Sequence, residues 1–242
     1  PRSREVTRSR VAKSTKSGVE MRQNGRMGAV SSCSLTPAAC RRAVRHLGGA
    51  DPVMRVIIER HGPCRLGVAG KGPVLQALTR ALVSQQLSVK AADTIYTRFL
   101  GLFPGDGFPQ PAAILAVPAE QLREVGLSRP KACYLRDLCG RVLSGELPLD
   151  RLDAMSDEEV LATLTAVKGI GRWTAEMILI FQLRRPDILP VDDVGILRGI
   201  QRAYGLRTRP SPARVLRLGE KWRPYRSVAS WYIWQSLDST PG

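Results

Sequence analysis

The chain has 242 residues, enough for one large domain or two small lobes sharing a core, and its 37 Lys and Arg against 21 Asp and Glu leave a net charge of +16. That excess predicts a polyanionic partner; eight basic and two acidic residues in the first thirty carry +6 of it, so +10 remains on the rest. No apolar run approaches a membrane span, five irregularly spaced cysteines without a CxxC argue against a disulfide framework or an iron–sulfur cluster, and His46 and His61 are too few for a zinc site.

Residues 1–35 are rich in Arg, Ser and Gly and poor in apolar side chains, which predicts a disordered basic tail ahead of a domain over 36–242. No apolar core of a secretory signal follows; an organelle transit peptide, also Arg- and Ser-rich, stays open. Thr36-Pro37 sets an N-cap before a proline at the first helical position. The helix it opens should run to Leu47 and stop at Gly48-Gly49. Asp51-Pro52 repeats the signal, with Val53, Ile57 and Ile58 on one face until Gly62. Residues 73–86 predict an amphipathic helix on Leu75, Leu78, Leu82 and Val83. Gln85-Gln86-Leu87-Ser88 breaks it, and Ser88 caps a helix carrying Ala91, Ala92, Ile95 and Phe99. Gln85 and Gln86 are either a polar turn or amides placed to meet base edges, with Leu87 able to wedge between stacked bases. After a Gly/Pro loop, short helices start at Pro111 and Pro118. Ser128, with Pro130 in the first turn, opens a helix with Leu135, Leu138, Val142 and Leu143 as its core face. Cys133 and Cys139 are expected to be buried beside them. No strand pattern or repeat emerges, so the fold class is all-α.

Ser156-Asp157-Glu158-Glu159 is a capping box, and Val160, Leu161, Leu164 and Val167 give the helix behind it an apolar stripe. A glycine-bracketed hairpin follows, Val167-Lys168-Gly169-Ile170-Gly171. Its backbone N–H groups, feeding a helix N-terminus, would form an anion site to which Lys168 adds a charge; a plain glycine cap between packed helices is the alternative. The helix from Arg172 to about Leu183 is almost wholly apolar beyond Glu176. Trp173 at its start is either a core residue or a platform for a base, best a cationic one. Asp192 and Asp193 project about 100° apart on a helix, so one of them faces any pocket. Asp192 is assigned to the N-cap and Asp193 to the chemistry; two first-turn acids are the bland alternative. Residues 207–226 hold seven basic groups and one acidic, a solvated face or a second phosphate-contacting surface. A last helix from Pro224 carries Trp231, Tyr232 and Trp234.

The string LTAVKGIGRWTAEM (Leu164–Met177) followed by LPVDD from Leu189 resembles the helix-hairpin-helix DNA glycosylases, in the branch called DNA-3-methyladenine glycosylase II. Leu82–Ala92 and Trp222–Ser227 add to the likeness, which spans roughly residues 50 to 240 and leaves out the first forty. The resemblance implies a two-lobed helical fold, lobe A at 73–185 and lobe B at 36–72 plus 186–242, with a cleft for an extruded base. It implies a repair enzyme that flips alkylated bases of the 3-methyladenine and 7-methylguanine type out of double-stranded DNA and hydrolyses their N-glycosidic bonds. In that scheme Asp193 is the catalytic carboxylate, and Trp173, Trp234 and Met177 form the base pocket. Met177 stands where some relatives carry an aromatic. Gln85, Gln86, Leu87, Lys168, Gly169 and Gly171 bind DNA, Gln86 filling the gap left by the base. A monovalent cation, Na or K, would sit on the backbone carbonyls of Thr165, Val167 and Ile170, with no cofactor for the chemistry. Relatives that also cut the DNA backbone carry a Schiff-base lysine where this chain has Trp173, so no lyase step is expected. A monomer is expected, cytoplasmic and nucleoid-associated in a bacterium, with a nuclear or organellar home open. Two rivals are a glycosylase for oxidised or mismatched bases and a non-catalytic DNA-binding hairpin protein.

Overall fold

The computed structural model describes residues 34–66 and 72–238; most of the expected tail lies outside them. Leu35, assigned to that tail, is buried, and its N–H donates to Arg184 O at 2.8 Å. Among the described residues the chain is helical and has no strand, as the period of its apolar residues predicted.

Capping chemistry sets most of the boundaries. Thr36 caps α1 (Pro37–Ala50) and Asp51 caps α2 (Pro52–His61), each by accepting a first-turn N–H. Gly48-Gly49 does not stop α1; the helix runs through both and ends at Asp51, whose N–H still reaches Leu47 O. Next come α3 (Val74–Ser84) and α4 (Val89–Leu100), the latter capped by Ser88. Short helices α5 (Pro111–Ala116) and α6 (Ala119–Glu124) precede α7 (Arg129–Ser144), which Ser128 caps and Gly145 ends at φ +81°. On α7, Cys139 is buried as expected, but Cys133 and Leu143 are exposed; the core face is narrower than the sequence stripe suggested. Then α8 (Asp157–Thr165) begins at the full Ser156–Glu159 capping box.

The helix after the hairpin is α9 (Arg172–Met177), prolonged by a π-helical turn over Ile178–Gln182 in which Leu183 N–H donates to Ile178 O. Arg185 just beyond is buried. It donates to the carbonyls of Leu152, Asp153 and Met155 and lies 3.4 Å from Asp157, fixing the end of this helix to the approach of α8. α10 (Val194–Ala203), α11 (Pro212–Gly219) and α12 (Arg226–Asp238) complete the chain. Pro224 lies two residues ahead of α12 rather than opening it, and the Arg226 N–H is accepted by Asp187.

Helices α1, α2, α10 and α12 pack on one another, while α3 packs on α4, α7 and the π-helical turn, α5 on α7, and α8 on α9. Glycine brings α10 and α12 together: a Cβ on Gly199 would stand 2.4 Å from Ile233, and one on Gly195 2.9 Å from the Trp234 ring. Asp51 anchors the first group from inside. Its carboxylate takes N–H bonds from Val53 and Trp222, an ion pair from Lys221 and the Tyr204 hydroxyl. Burial opposes the charge, but these partners outweigh it and hold the Asp51 carboxyl below its ordinary value.

Candidate active site

Asp193 is the centre of the site. It sits immediately before α10, and its Oδ1 accepts the Ile196 N–H at 2.7 Å. Asp193 is therefore the N-cap, and Asp192, expected in that role, is exposed. The cap leaves the carboxylate free to face inward as well. Its Oδ1 also accepts Trp234 Nε1–H at 2.8 Å, and its Oδ2 accepts Trp173 Nε1–H at 2.6 Å. Three N–H donors from α9, α10 and α12 thus converge on one carboxylate, and such bonds are strongest to an ionised acceptor.

Trp173 keeps 53% of its surface exposed. Its ring forms one wall of a cavity of about 390 Å³, continued by Met177 and Phe181 and faced by Ala77, Ala81 and Gln86. That volume and apolar lining suit a planar ring. Trp234 does not line this cavity. It stands behind, stacked on Phe181 with centroids 5.7 Å apart. Phe181 was missed in the sequence because it lies in a run of apolar residues with nothing local to mark it, yet it is 49% exposed. Glu176, one turn after Arg172, is buried and paired with it at 3.0 Å. Burial pushes the Glu176 carboxyl above its ordinary value, Arg172 opposes, and Asp192 and Asp193 reinforce.

The hairpin connects α8 to α9 through a tight turn in which Ile170 N–H donates to Val167 O. Gly169 has φ +82°, and a Cβ there would come within 2.3 Å of the Tyr134 ring on α7. Both the backbone conformation and the close approach demand glycine. The Lys168 N–H, counted with the anion-binding groups in the sequence, is already taken by Asp137 Oδ2 at 2.9 Å. Burial would raise the Asp137 carboxyl, but this bond and Arg141 win and lower it. Gly171 caps α9 without a side chain, so the first-turn N–H groups of that helix have no internal partner from the cap.

The turn between α3 and α4 meets the hairpin directly. Gln85, expected to reach DNA, instead donates its amide to Gly169 O at 2.8 Å. Lys131 of α7 donates to the carbonyls of Val83 and Gln85, both at 2.7 Å, and burial lowers its pKa. These bonds push the next residues outward: Gln86 and Leu87 are exposed, and Gln86 has φ +57°. A non-glycine residue in the left-handed region is strained, and such strain gathers at ligand-contacting turns. Neither Lys131 nor Asp137 carried a sequence signal, since both act on segments more than thirty residues away.

Over residues 79–224 the chain matches the HhH-GPD superfamily of base excision DNA repair proteins. It belongs to that superfamily. The DNA-3-methyladenine glycosylase 1 of Schizosaccharomyces pombe is 36% identical over 198 residues, covering 81% of this chain and 86% of that one. The solved structure of the S. pombe 3-methyladenine DNA glycosylase Mag1 in complex with abasic DNA superposes with a TM-score of 0.74 at 34% identity, covering 82% of this chain and 98% of that one. A DNA-3-methyladenine glycosidase structure from Bacillus halodurans gives 0.73 at 37% identity, with coverage of 80% and 88%.

Proposed function

We propose that this HhH-GPD protein is a monofunctional DNA glycosylase that takes alkylated bases of the 3-methyladenine and 7-methylguanine type out of double-stranded DNA and hydrolyses their N-glycosidic bonds. The observation that carries the reading is the Asp193 carboxylate, held between two indole N–H groups beside an apolar, aromatic-walled cavity.

A DNA phosphate rests on the N–H groups of Gly169, Gly171 and the first turn of α9, near the Lys168 charge. Gln86, presented by its strained turn, enters the base stack with Leu87 beside it, and the nucleotide flips out. The base enters the cleft between the lobes over 73–185 and over 36–72 plus 186–242, where Trp173 stacks on it, Met177 and Phe181 complete the wall, and Trp234 backs Phe181. Stacking on an indole favours a cationic base. A base that already carries positive charge leaves without a general acid. The sugar passes through an oxocarbenium-like state, which the negative charge of Asp193 stabilises while it orients the attacking water. Trp173 in place of a Schiff-base lysine supports hydrolysis without strand cutting. The carbonyls of Thr165, at the end of α8, and of Val167 and Ile170 in the turn are oxygen ligands of the kind a monovalent cation takes. Bound there it would add positive charge beside the phosphate.

Release of 7-methylguanine and 3-methyladenine from methylated duplex DNA tests the reading. Release without strand scission, and with no adduct trapped by borohydride, is expected. Release of oxidised or mismatched bases alone would overturn the substrate class, and no release of any base would overturn the enzyme.

A further inference from the structure

We propose that Phe181 is a positioning residue of the glycosylase site: its ring braces Trp234, and through Trp234 it holds the Asp193 carboxylate in place. The inference rests on the reading of Asp193 as the group that acts on the sugar. Asp193 Oδ1 takes the Trp234 Nε1–H at 2.8 Å. Trp234 is in turn confined on two sides. Gly195, at the start of α10, lies against the five-membered edge of the indole, where a Cβ would stand 2.9 Å from Cδ1. Phe181 stacks on the ring, with centroids 5.7 Å apart and planes 28° from parallel, a spacing that aromatic pairs favour. Gly195 sets how closely the indole approaches α10, and Phe181 sets its tilt. An N–H donates well only when it points at its acceptor, so the tilt of this ring governs the bond to Asp193.

The π-helical turn brings Phe181 to this place. In a regular α-helix each step of four residues swings a side chain by about 40°, so Trp173, Met177 and Phe181 would wind away from one another. The wider turn over Ile178–Gln182, closed by the Leu183 N–H on Ile178 O at 2.8 Å, offsets that drift. All three side chains therefore line one cavity. Single π-helical turns of this kind are frequent at functional sites. Phe181 is half-exposed, so its ring adds little to the core, and Trp234 lies on the side away from the cavity. It also stands two turns beyond Trp173, on the order of 10 Å along the helix. A base stacked on Trp173 keeps its main contact when residue 181 changes. Loss of the Phe181 ring should therefore reach the rate, through Trp234 and Asp193, rather than the affinity.

The test compares Phe181→Leu, which keeps apolar bulk without a stacking face, with Phe181→Tyr, which keeps the face. Both are made in the full chain and checked for native helicity by circular dichroism. The first readout is the indole N–H resonances of the four tryptophans in nitrogen-labelled protein, assigned by single Trp→Phe variants. In Phe181→Leu the Trp234 signal should move toward that of a solvated indole and exchange faster with water. The Trp222 signal, from an indole bonded to Asp51, should stay where it is. The second readout is release of 7-methylguanine from methylated duplex at saturating enzyme, beside the dissociation constant for the same duplex. The saturated rate of Phe181→Leu should fall about two- to tenfold, the range an aromatic pair spans, with affinity within about twofold of the parent. Phe181→Tyr should restore both readouts. An unchanged Trp234 signal in Phe181→Leu overturns the proposal. So does weaker binding with an unchanged saturated rate, or a Phe181→Tyr variant as impaired as Phe181→Leu. A parent chain that releases no base would sink the glycosylase reading, and the indole comparison would still decide whether Phe181 braces Trp234.

Discussion

Trp173 and Asp193, twenty residues apart in the chain, meet at 2.6 Å through an indole N–H and a carboxylate oxygen. The contact joins the two parts of the proposed site, since the indole that walls the cavity also donates to the carboxylate proposed to act on the sugar. Replacing the ring therefore separates two effects. Stacking on an aromatic contributes about 1–3 kcal/mol per base, so Trp173→Ala should weaken binding of lesion-containing duplex by about ten- to a hundredfold. Trp173→Phe keeps a flat ring without the N–H, and should lose less than tenfold. Fluorescence anisotropy against lesion and undamaged duplexes reads both, and equal losses for the two variants would show that the indole acts through its hydrogen bond alone.

Gly169 and Gly171 bracket the same hairpin but obey different constraints. A Cβ on Gly169 meets the Tyr134 ring at 2.3 Å and forces φ +82° on a chiral residue. Strain of this kind costs about 1–3 kcal/mol before the clash is counted. Gly169→Ala should thus lower the urea midpoint clearly and abolish tight DNA binding. Gly171 has φ −88° and open space where its Cβ would go, so Gly171→Ala should leave stability within about 0.5 kcal/mol of the parent. Any loss of DNA affinity in Gly171→Ala then reports on the anion site itself.

Gln86 sits exposed at φ +57°. Gln86→Gly removes the strain of a side chain in that region, and should raise stability by about 0.5–1 kcal/mol. The same change removes the side chain proposed to fill the DNA gap. Excision should therefore fall while the melting temperature rises. A variant that is both more stable and fully active would show that the turn is only a cap.

Most of the scaffold was legible because its signals are local. Thr36, Asp51, Ser88, Ser128 and Ser156 all cap helices as the sequence indicated, since a cap acts on N–H groups two or three residues away. Gly48-Gly49 misled because the nearby Asp51-Pro52 fixes the end of α1 more firmly than two glycines interrupt it. The site was legible in part. Asp193 meets Trp173, and Met177 lines the cavity beside that ring, but the choice of N-cap between two adjacent acids depends on a single backbone rotation that no spacing reveals. Lys131, Asp137 and Tyr134 shape the hairpin from α7, and long-range contacts of that kind leave no periodic trace.

Glu176 gives the site a pH-dependent signature. Burial raises its carboxyl above the ordinary 4.5, so the folded chain holds this proton more tightly than the unfolded chain. That contribution to stability is complete below the unfolded value and is lost as pH rises through the elevated one. Glu176→Gln does not titrate. Its stability relative to the parent should therefore increase between pH 4 and pH 7, whatever its offset from losing the Arg172 ion pair. Urea unfolding of both proteins at the two pH values measures the difference, and a relative stability that stays flat or falls would contradict the assignment.

Asp193 has a double role, and the two roles can be divided by substitution. As N-cap it accepts the Ile196 N–H, which Asn does almost as well. As the proposed electrostatic partner of the oxocarbenium it needs its full charge, which Asn lacks. Loss of a preorganised contact of this type costs about 10²–10³ in rate, or roughly 3–4 kcal/mol. Asp193→Asn should accordingly keep the helical content and most of the affinity for lesion DNA while single-turnover excision of 7-methylguanine drops by that factor. Asp193→Ala loses the cap as well, and should be destabilised by a further ~1 kcal/mol. Asp192 is exposed and caps nothing, so Asp192→Asn should change both quantities little. Excision abolished by Asp192→Asn and spared by Asp193→Asn would exchange the two assignments. Excision spared by both would remove the carboxylate from the chemistry, leaving Asp193 as a helix cap that two tryptophans happen to share.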